Sequence, residues 1–425
     1  MPMTIRRRIL ASLCLIAAML AVPRPAAADV TGPPVLNAPV FNDPLAESGV
    51  PGTPSAGQSA ILDQLIRLIR AAEPGSDIHF AWYAFANGQR STEVAEQLVA
   101  AHARGVRVKV ILDSMEKLGA DELPYNDAVT GTLKAALGTS ESAGSWVIRC
   151  EYPDESAVER GCIARDYLHS KFALFSRLTV DGAAHANVVF QTSSNLADWD
   201  MYSAFQDAYT FTDAAVYGAY RQYFSDLQAG RRKAVDPGYS WTTPTGTKHR
   251  ATFFPRRATD PDPIVNVLKL IECGYDDGGV RRQTDIRLVM LNFNKHRVAI
   301  ANELLRLRGE NCWVDVVHYE DDPTDATKSV DATVREVLGR TVNGRRIQVT
   351  PCRIPAGSRS VGVHSKVMMI DGYYDDDITP RVYTGSANFT HLENSDDSLV
   401  RIAGRDVHQQ YLTWFWHVRD TCAAG

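Results

Sequence analysis

One order of secondary structure runs through this chain twice. Ala60, Ile61, Leu65, Ile66 and Leu68 recur at helical spacing, and an apolar strand signal over 78–85 follows. A second helical pattern covers 91–103, closed by Gly105, and an alternating strand over 106–112 ends at Asp113. From residue 264 the order returns: helix 264–271, strand 286–293, helix 300–307 closed by Gly309, strand 313–317. Strands that alternate with helices are joined by crossovers, so the class expected is α/β with parallel strands. Order alone also fits two unrelated α/β units. What ties the halves together is a polar cluster that each of them carries.

The first cluster is His169-Ser170-Lys171 followed by apolar residues, and after a loop and a strand come Thr192, Ser193, Ser194 and Asn195. The second is His364-Ser365-Lys366, again with apolar residues after it, and then Gly385, Ser386, Ala387 and Asn388. Residues i and i+2 of a strand face the same way, so each His and Lys should project from one side of one strand. A lone His-x-Lys or Ser-x-Asn carries little information. Two copies in the same order and context carry much more.

Brought together, the copies would supply two histidines, two lysines and two asparagines around one point. That set suits a phosphodiester. Lysines neutralise phosphate charge, and Asn amides and Ser hydroxyls donate to its oxygens. One histidine can attack phosphorus while the other protonates the leaving oxygen and later activates water. The cations are built in, so no cofactor or metal is expected.

The clusters resemble the signature of the phospholipase D superfamily, His-x-Lys, four residues, Asp, then Gly-Ser-x-Asn. His364, Lys366, Asp371, Gly385, Ser386 and Asn388 match it throughout. The first copy matches at His169, Lys171, Ser193 and Asn195, with Ser176 in place of the motif Asp and Thr192 in place of Gly. The resemblance implies two homologous α/β/α/β lobes with the active site at their interface. It implies His169 as nucleophile and His364 as general acid and base. It also implies a carboxylate after each asparagine to orient a histidine, and Asp207 and Asp397 stand at those places. Asp371 and Gly385 are supporting residues in this reading. The Ser176 departure bears on local geometry more than on chemistry.

Other features rank lower. The remaining histidines have no repeated partner cluster. Trp82, Tyr83 and Phe85 end one strand signal, and Asn292 and Phe293 another, where they line a cleft or pack the core. Trp199 and Tyr202 are candidates for an apolar lip. Asp375, Asp376 and Asp377 read as a solvated loop rather than a calcium site. Trp414, Phe415 and Trp416 read as a closing helix.

The N-terminus reads as an export signal: Arg6, Arg7 and Arg8, an uncharged apolar run over 9–22, then Ala26, Ala27 and Ala28 before Asp29. The expected division is 1–28 signal, 29–58 irregular lead-in, 59–229 first lobe, 230–263 linker or site-capping loop, and 264–425 second lobe. Losing residues 1–28 removes four arginines and no acid, moving the formal charge from −5 to −9. So acidic a mature chain argues against a nucleic-acid partner. Six of the seven cysteines lie beyond the signal, and an even number in an exported chain favours disulfides, with Cys150–Cys162 the expected pair. The reading is a secreted phosphodiesterase, foremost a phospholipase D acting on phospholipid with transient membrane-surface contact. One chain supplies both motifs, so a monomer suffices. A nuclease and a non-catalytic phosphate-binding module are the alternatives.

Overall fold

The computed structural model describes residues 30–49, 53–114, 127–150, 161–230, 241–242, 248–322, 328–375 and 377–425. The export-signal expectation lies outside these residues.

Two mixed sheets form the framework. The first has seven strands in the order Ala38–Phe41, Asp207–Thr212, Ala183–Thr192, Lys171–Val180, Asp77–Trp82, Arg107–Asp113, Trp146–Cys150. The second runs Gln348–Cys352, Trp313–Tyr319, Asp285–Met290, Lys366–Asp371, Arg381–Gly385, Ser398–Ala403, His249–Phe253, Trp241–Thr242. In both, the strands joined by helices pair in parallel, as expected. The motif strands then add antiparallel. Registers match as well: Trp82 stands opposite Lys171, and Met290 stands opposite Lys366.

Two segments expected to be irregular supply strands in equivalent places. Ala38–Phe41 lies in the lead-in and pairs antiparallel with Asp207–Thr212. His249–Phe253 lies in the stretch read as linker or cap and pairs antiparallel with Ser398–Ala403. Residues 231–240 and 243–247 of that stretch lie outside the described residues. These strands are short and bordered by Pro and Gly, so their ladders come from the tertiary partner rather than from local pattern.

The layers run helix, sheet, helix, sheet, helix. Ala56–Ala71 covers the outer face of the first sheet, starting at a capping box. Gln58 N donates to Ser55 Oγ at 3.0 Å, and Ser55 N donates to Gln58 Oε1 at 2.9 Å. It buries Ile61, Leu62, Leu65, Ile66, Leu68 and Ile69, each adding about 1.5–3 kcal/mol relative to exposure. Helices Ala214–Gly230 and Arg405–Ala424 lie between the sheets, where Tyr220, Tyr223, Tyr411 and Phe415 join Phe172, Leu174, Val367 and Met369 in one core. The lobes therefore share a central hydrophobic layer. Cysteines pair as Cys150–Cys162, Cys273–Cys312 and Cys352–Cys422, the first being the expected pair. Among the described residues, no helix is long and apolar enough to cross a membrane.

Candidate active site

Each motif lysine opens a strand, and its histidine sits two residues earlier, just before that strand rather than within it. The lysines turn back. Lys171 Nζ donates to the His169 carbonyl at 2.7 Å, and Lys366 Nζ donates to the His364 carbonyl at 2.5 Å. The apolar residues that follow are buried in the sheets and fix the strands.

Each histidine is braced by the opposite lobe. Gly362 and Val363, just before His364, pair with Ala204 and Phe205 of the first lobe. Tyr167, two residues before His169, bridges to Ser395 of the second. The serine inside each motif repeats the pattern: Ser170 Oγ donates to the Asp396 carbonyl at 2.9 Å and Ser365 Oγ to the Phe205 carbonyl at 3.3 Å. The next residues meet the imidazoles. Asp397 Oδ1 lies 2.9 Å from His169 Nδ1, while Ser395 Oγ donates to Asp397 Oδ2 at 2.5 Å. Gln206 Oε1 lies 2.9 Å from His364 Nδ1, and the Ser193 carbonyl 3.1 Å from it. These oxygens are acceptors and lie closer to the Nδ1 atoms than Lys366 Nζ, which is 3.3 Å from His364 Nδ1 and 3.4 Å from its Nε2, so both Nδ1 atoms carry hydrogen and the Nε2 atoms face the chemistry.

Asp207 does not take the place expected for it. Ser193 N bonds the Asp207 carbonyl at 3.0 Å, and Ser386 N bonds the Ser398 carbonyl at 3.0 Å. Asp207 is thus the counterpart of Ser398, and Gln206 is the counterpart of Asp397. A one-residue offset on a strand reverses the face. Asp207 points into the interlobe core instead, where its Oδ2 accepts from Thr384 Oγ1 and, at 3.0 Å, from the Tyr411 hydroxyl. The carboxylate nearest His364 is Asp200, 3.8 Å from Nδ1. Its Oδ1 accepts Gln206 Nε2 at 2.6 Å, which sets the Gln206 amide with oxygen toward the histidine. It also accepts Asn195 N and Nδ2 at 3.0 and 3.2 Å.

The remaining motif residues divide between turn and cleft. Ser193 and Ser386 hydroxyls accept from Asp207 N and Ser398 N, both at 3.1 Å, tying each turn to the last strand of its sheet. The Asn388 carbonyl oxygen accepts from Asn292 N at 3.3 Å, which leaves its NH₂ available. A Cβ on Gly385 would lie 2.1 Å from the Ser398 carbonyl oxygen, so only glycine fits. Thr192, its counterpart, donates Oγ1 to the equivalent Asp207 carbonyl at 2.7 Å. Asp371 and Ser176 stand five residues along the strand from their lysines, remote from the histidines. Asp371 lies 3.6 Å from Arg405, and Ser176 Oγ accepts Asp77 N at 2.8 Å.

Burial and like charge dominate the electrostatics. Burial, and after it Lys171, bring His169 down to about 4 against the upward pull of Asp397. Burial would raise Asp397, but the His169 contact wins and holds it below the usual carboxylate range. His364 is pushed well below the usual histidine range by burial, then by Lys366, Lys171 and His169. Burial brings Lys171 down to about 8, with Asp397, Asp200 and Asp113 pulling upward. Burial and then Lys171 depress Lys366. The two motifs therefore sense each other across the lobe boundary. Two buried lysines beside two imidazoles, with Asp397 and Asp200 as the nearby carboxylates, make a site that favours a further anion.

Aromatic rings frame the opening. Tyr83 lies 5.0 Å from the His169 ring and receives the Lys171 ammonium 5.0 Å over its face. Trp199, 43% exposed, meets the His364 ring edge-on at 5.6 Å. Tyr167 stands 5.9 Å from Tyr83. Trp82, Phe85 and Phe293 belong to the core, and Tyr202 packs under Arg359. Gln206, Asp200 and Tyr167 were not legible as site residues. Gln206 has no place in a carboxylate pattern, and Asp200 precedes it in a short helix, Asp198–Tyr202. Among the described residues, no group of three or more His, Cys, Asp or Glu is placed to hold a metal ion.

A family model described as the PLD-like domain of cardiolipin synthase matches residues 65–228 and 281–419. A phosphatidylserine synthase from Haemophilus influenzae Rd KW20 superposes with a TM-score of 0.54 at 11% identity, covering 86% of this chain and 84% of that one. A polyphosphate kinase from Porphyromonas gingivalis superposes with a TM-score of 0.52 at 12% identity. That match covers 86% of this chain, which spans about half (49%) of the kinase. A search of curated proteins gives no match.

Proposed function

This chain belongs to the phospholipase D superfamily, and on that premise we propose that it is a secreted phospholipase D, cleaving or exchanging the headgroup of a glycerophospholipid through a phosphohistidine. The observation that carries the proposal is the pair of histidines, each held through Nδ1 by the opposite lobe, beside two buried lysines. His169 Nε2 attacks phosphorus as the bond to the leaving oxygen breaks. His364, as imidazolium, gives its Nε2 proton to that oxygen. His364 then takes a proton from water or an alcohol, whose oxygen attacks phosphorus while the P–N bond breaks and His169 is restored. Asp397 steadies the positive charge that His169 acquires in the phosphorylated state. The anionic substrate adds countercharge to the lysines and raises His364 toward its acid form.

Lipid is the favoured substrate class for two reasons. The exposed Trp199 and Tyr167 offer apolar surface at the mouth, and the matching family model and one similar structure carry the names of phospholipid synthases. The three cysteine pairs are compatible with a chain that matures in an oxidising compartment and support that part of the reading. Export and action outside the cell are part of the proposal.

The test uses purified protein and phosphatidylcholine vesicles containing ethanol. The proposal expects phosphatidic acid and phosphatidylethanol, both lost in His169→Ala. If neither forms and the protein instead cuts DNA or RNA, the nuclease reading replaces it. Binding of lipid without turnover would make it a phosphate-binding module.

A further inference from the structure

The second sheet has a face that the histidines do not use. Along its last strands Val382, Val400, Ile402 and Ala251 point to the shared core between the lobes. Their alternates point the other way: Arg381 and Tyr383, Leu399 and Arg401, Arg250 and Thr252. Register places Arg250 and Tyr383 on either side of Arg401. Together with Arg256 and the helix Pro263–Lys269 these residues enclose a cavity of about 460 Å³. Its chemistry is uneven. Ile264, Val267 and Leu270 make one wall apolar, and Leu270 is 47% exposed at its edge. Four arginines dominate the rest, outnumbering the two carboxylates there, Asp375 and Asp377.

Three of those arginines, Arg250, Arg256 and Arg381, keep a donor unmet among the described residues. Asp377 accepts Arg381 Nη2 at 2.7 Å, and the Arg381 guanidinium lies 4.3 Å over the Tyr374 ring. The Nε atoms of Arg250, Arg256 and Arg381 are nonetheless buried, and none has a hydrogen-bond partner among the described residues. A buried donor of this kind ordinarily costs stability, and more when it is charged. Burial and its cationic neighbours Arg381 and Arg250 hold the Arg401 guanidinium below its usual range. A chain gains nothing in stability by crowding like charges with unmet donors. It gains a binding site if an anion completes them.

We propose that this cavity binds a phosphate-bearing anion, at a site separate from the two histidines. Planar guanidinium forks match phosphate oxygens, and the volume and apolar wall leave room for an organic substituent on the phosphate. The phosphate can come free from solution or as the headgroup of a lipid whose chains lie along Leu270.

Equilibrium dialysis of the full chain against labelled inorganic phosphate, with the double variant R250Q/R256Q alongside, tests the site. Wild-type protein should bind one more phosphate per chain than the variant, or bind that phosphate about tenfold or more tightly. Phospholipid turnover or phosphate binding at the histidines should be unchanged in the variant. Equal stoichiometry and affinity in the two proteins overturn the proposal. Thermal unfolding keeps the test clean, because removing self-repelling charges should leave the midpoint unchanged or raised. A large fall would make the arginines structural and overturn it as well. Sedimentation with phosphatidylcholine vesicles, with and without phosphatidic acid, then assigns the source, both proteins carrying His169→Ala so that lipid is not consumed. Loss of phosphatidic-acid-dependent binding in the variant points to a lipid headgroup; unchanged vesicle binding with altered dialysis points to free phosphate.

Discussion

The two halves hold their histidines in the same way but with different chemistry. His169 gives its Nδ1 hydrogen to a carboxylate, Asp397. His364 gives its own to the neutral Gln206 and to a backbone carbonyl, with Asp200 one hydrogen bond behind. A carboxylate can stabilise a full positive charge on the ring it holds, whereas a carboxamide can only orient it. That difference matches the proposed roles, with the first histidine carrying charge covalently and the second passing a proton on. The two copies make a nearly symmetric site, and in the proposed mechanism the exchange of Asp397 for Gln206 gives it direction.

The proposed roles can be broken at several points. His169→Ala should lower turnover by about 10⁴-fold or more, measured as phosphatidic acid release. His364→Ala should lose about 10²–10⁴-fold on a phospholipid but far less on a p-nitrophenyl phosphodiester, whose leaving group needs no proton. His364→Ala should also accumulate phosphoprotein. Label found on His364 in the His169→Ala protein would reverse the two roles.

Asp397→Asn should cost about 10²-fold or more in kcat. The pH profile carries a second signature. His169 must be neutral to attack, so kcat/KM should fall as pH drops through about 4. Removing Asp397 takes away what supports the charged ring, so that limb should move to lower pH. If it stays in place, another group sets it. On the alkaline side, Lys171 loses its charge above about 8, and KM should rise there.

Gln206→Ala should cost only about tenfold, since it removes orientation without removing charge. Gln206→Glu sharpens the comparison. It should raise His364 basicity and make the halves alike, shifting the alkaline limb of kcat upward. A loss as large as that of Asp397→Asn would mean that the carboxamide is specifically required.

Stability separates the halves by smaller amounts. Gly385→Ala drives a Cβ against the Ser398 carbonyl and should cost about 1–3 kcal/mol. Thr192→Gly, at the equivalent place, should cost about 1 kcal/mol through its lost hydrogen bond. Ser176→Ala should cost no more and should leave kcat unchanged, because that strand end is remote from the histidines. Denaturant midpoints and steady-state rates measure all three.

Much of this was legible in the residues. Helical and strand periods gave the α/β class and the repeat, because alternation and 3.6-residue spacing are local properties. His169, Lys171, His364 and Lys366 were legible because chemistry at phosphorus needs those side chains and two copies stood in order. Cys150–Cys162 was legible from proximity. The edge strands at Ala38–Phe41 and His249–Phe253 were not, since each depends on a partner strand far away in the chain. Gln206 was hidden by a one-residue offset: Asp207 has the expected chemistry, but the pleat turns it into the core.

What the sequence determined by itself, then, is the set of parts: two α/β units, two His-x-Lys clusters, and six cysteines from Cys150 to Cys422. What only the tertiary structure decided is which part touches which. Asp397 serves a histidine 228 residues away, and Gln206 one 158 residues away. The arginines of the outer cavity come from strands and a loop scattered along the second half. Local pattern reports the conformation a segment prefers. Contacts across such distances arise only when two sheets share one buried layer, and no local period records that.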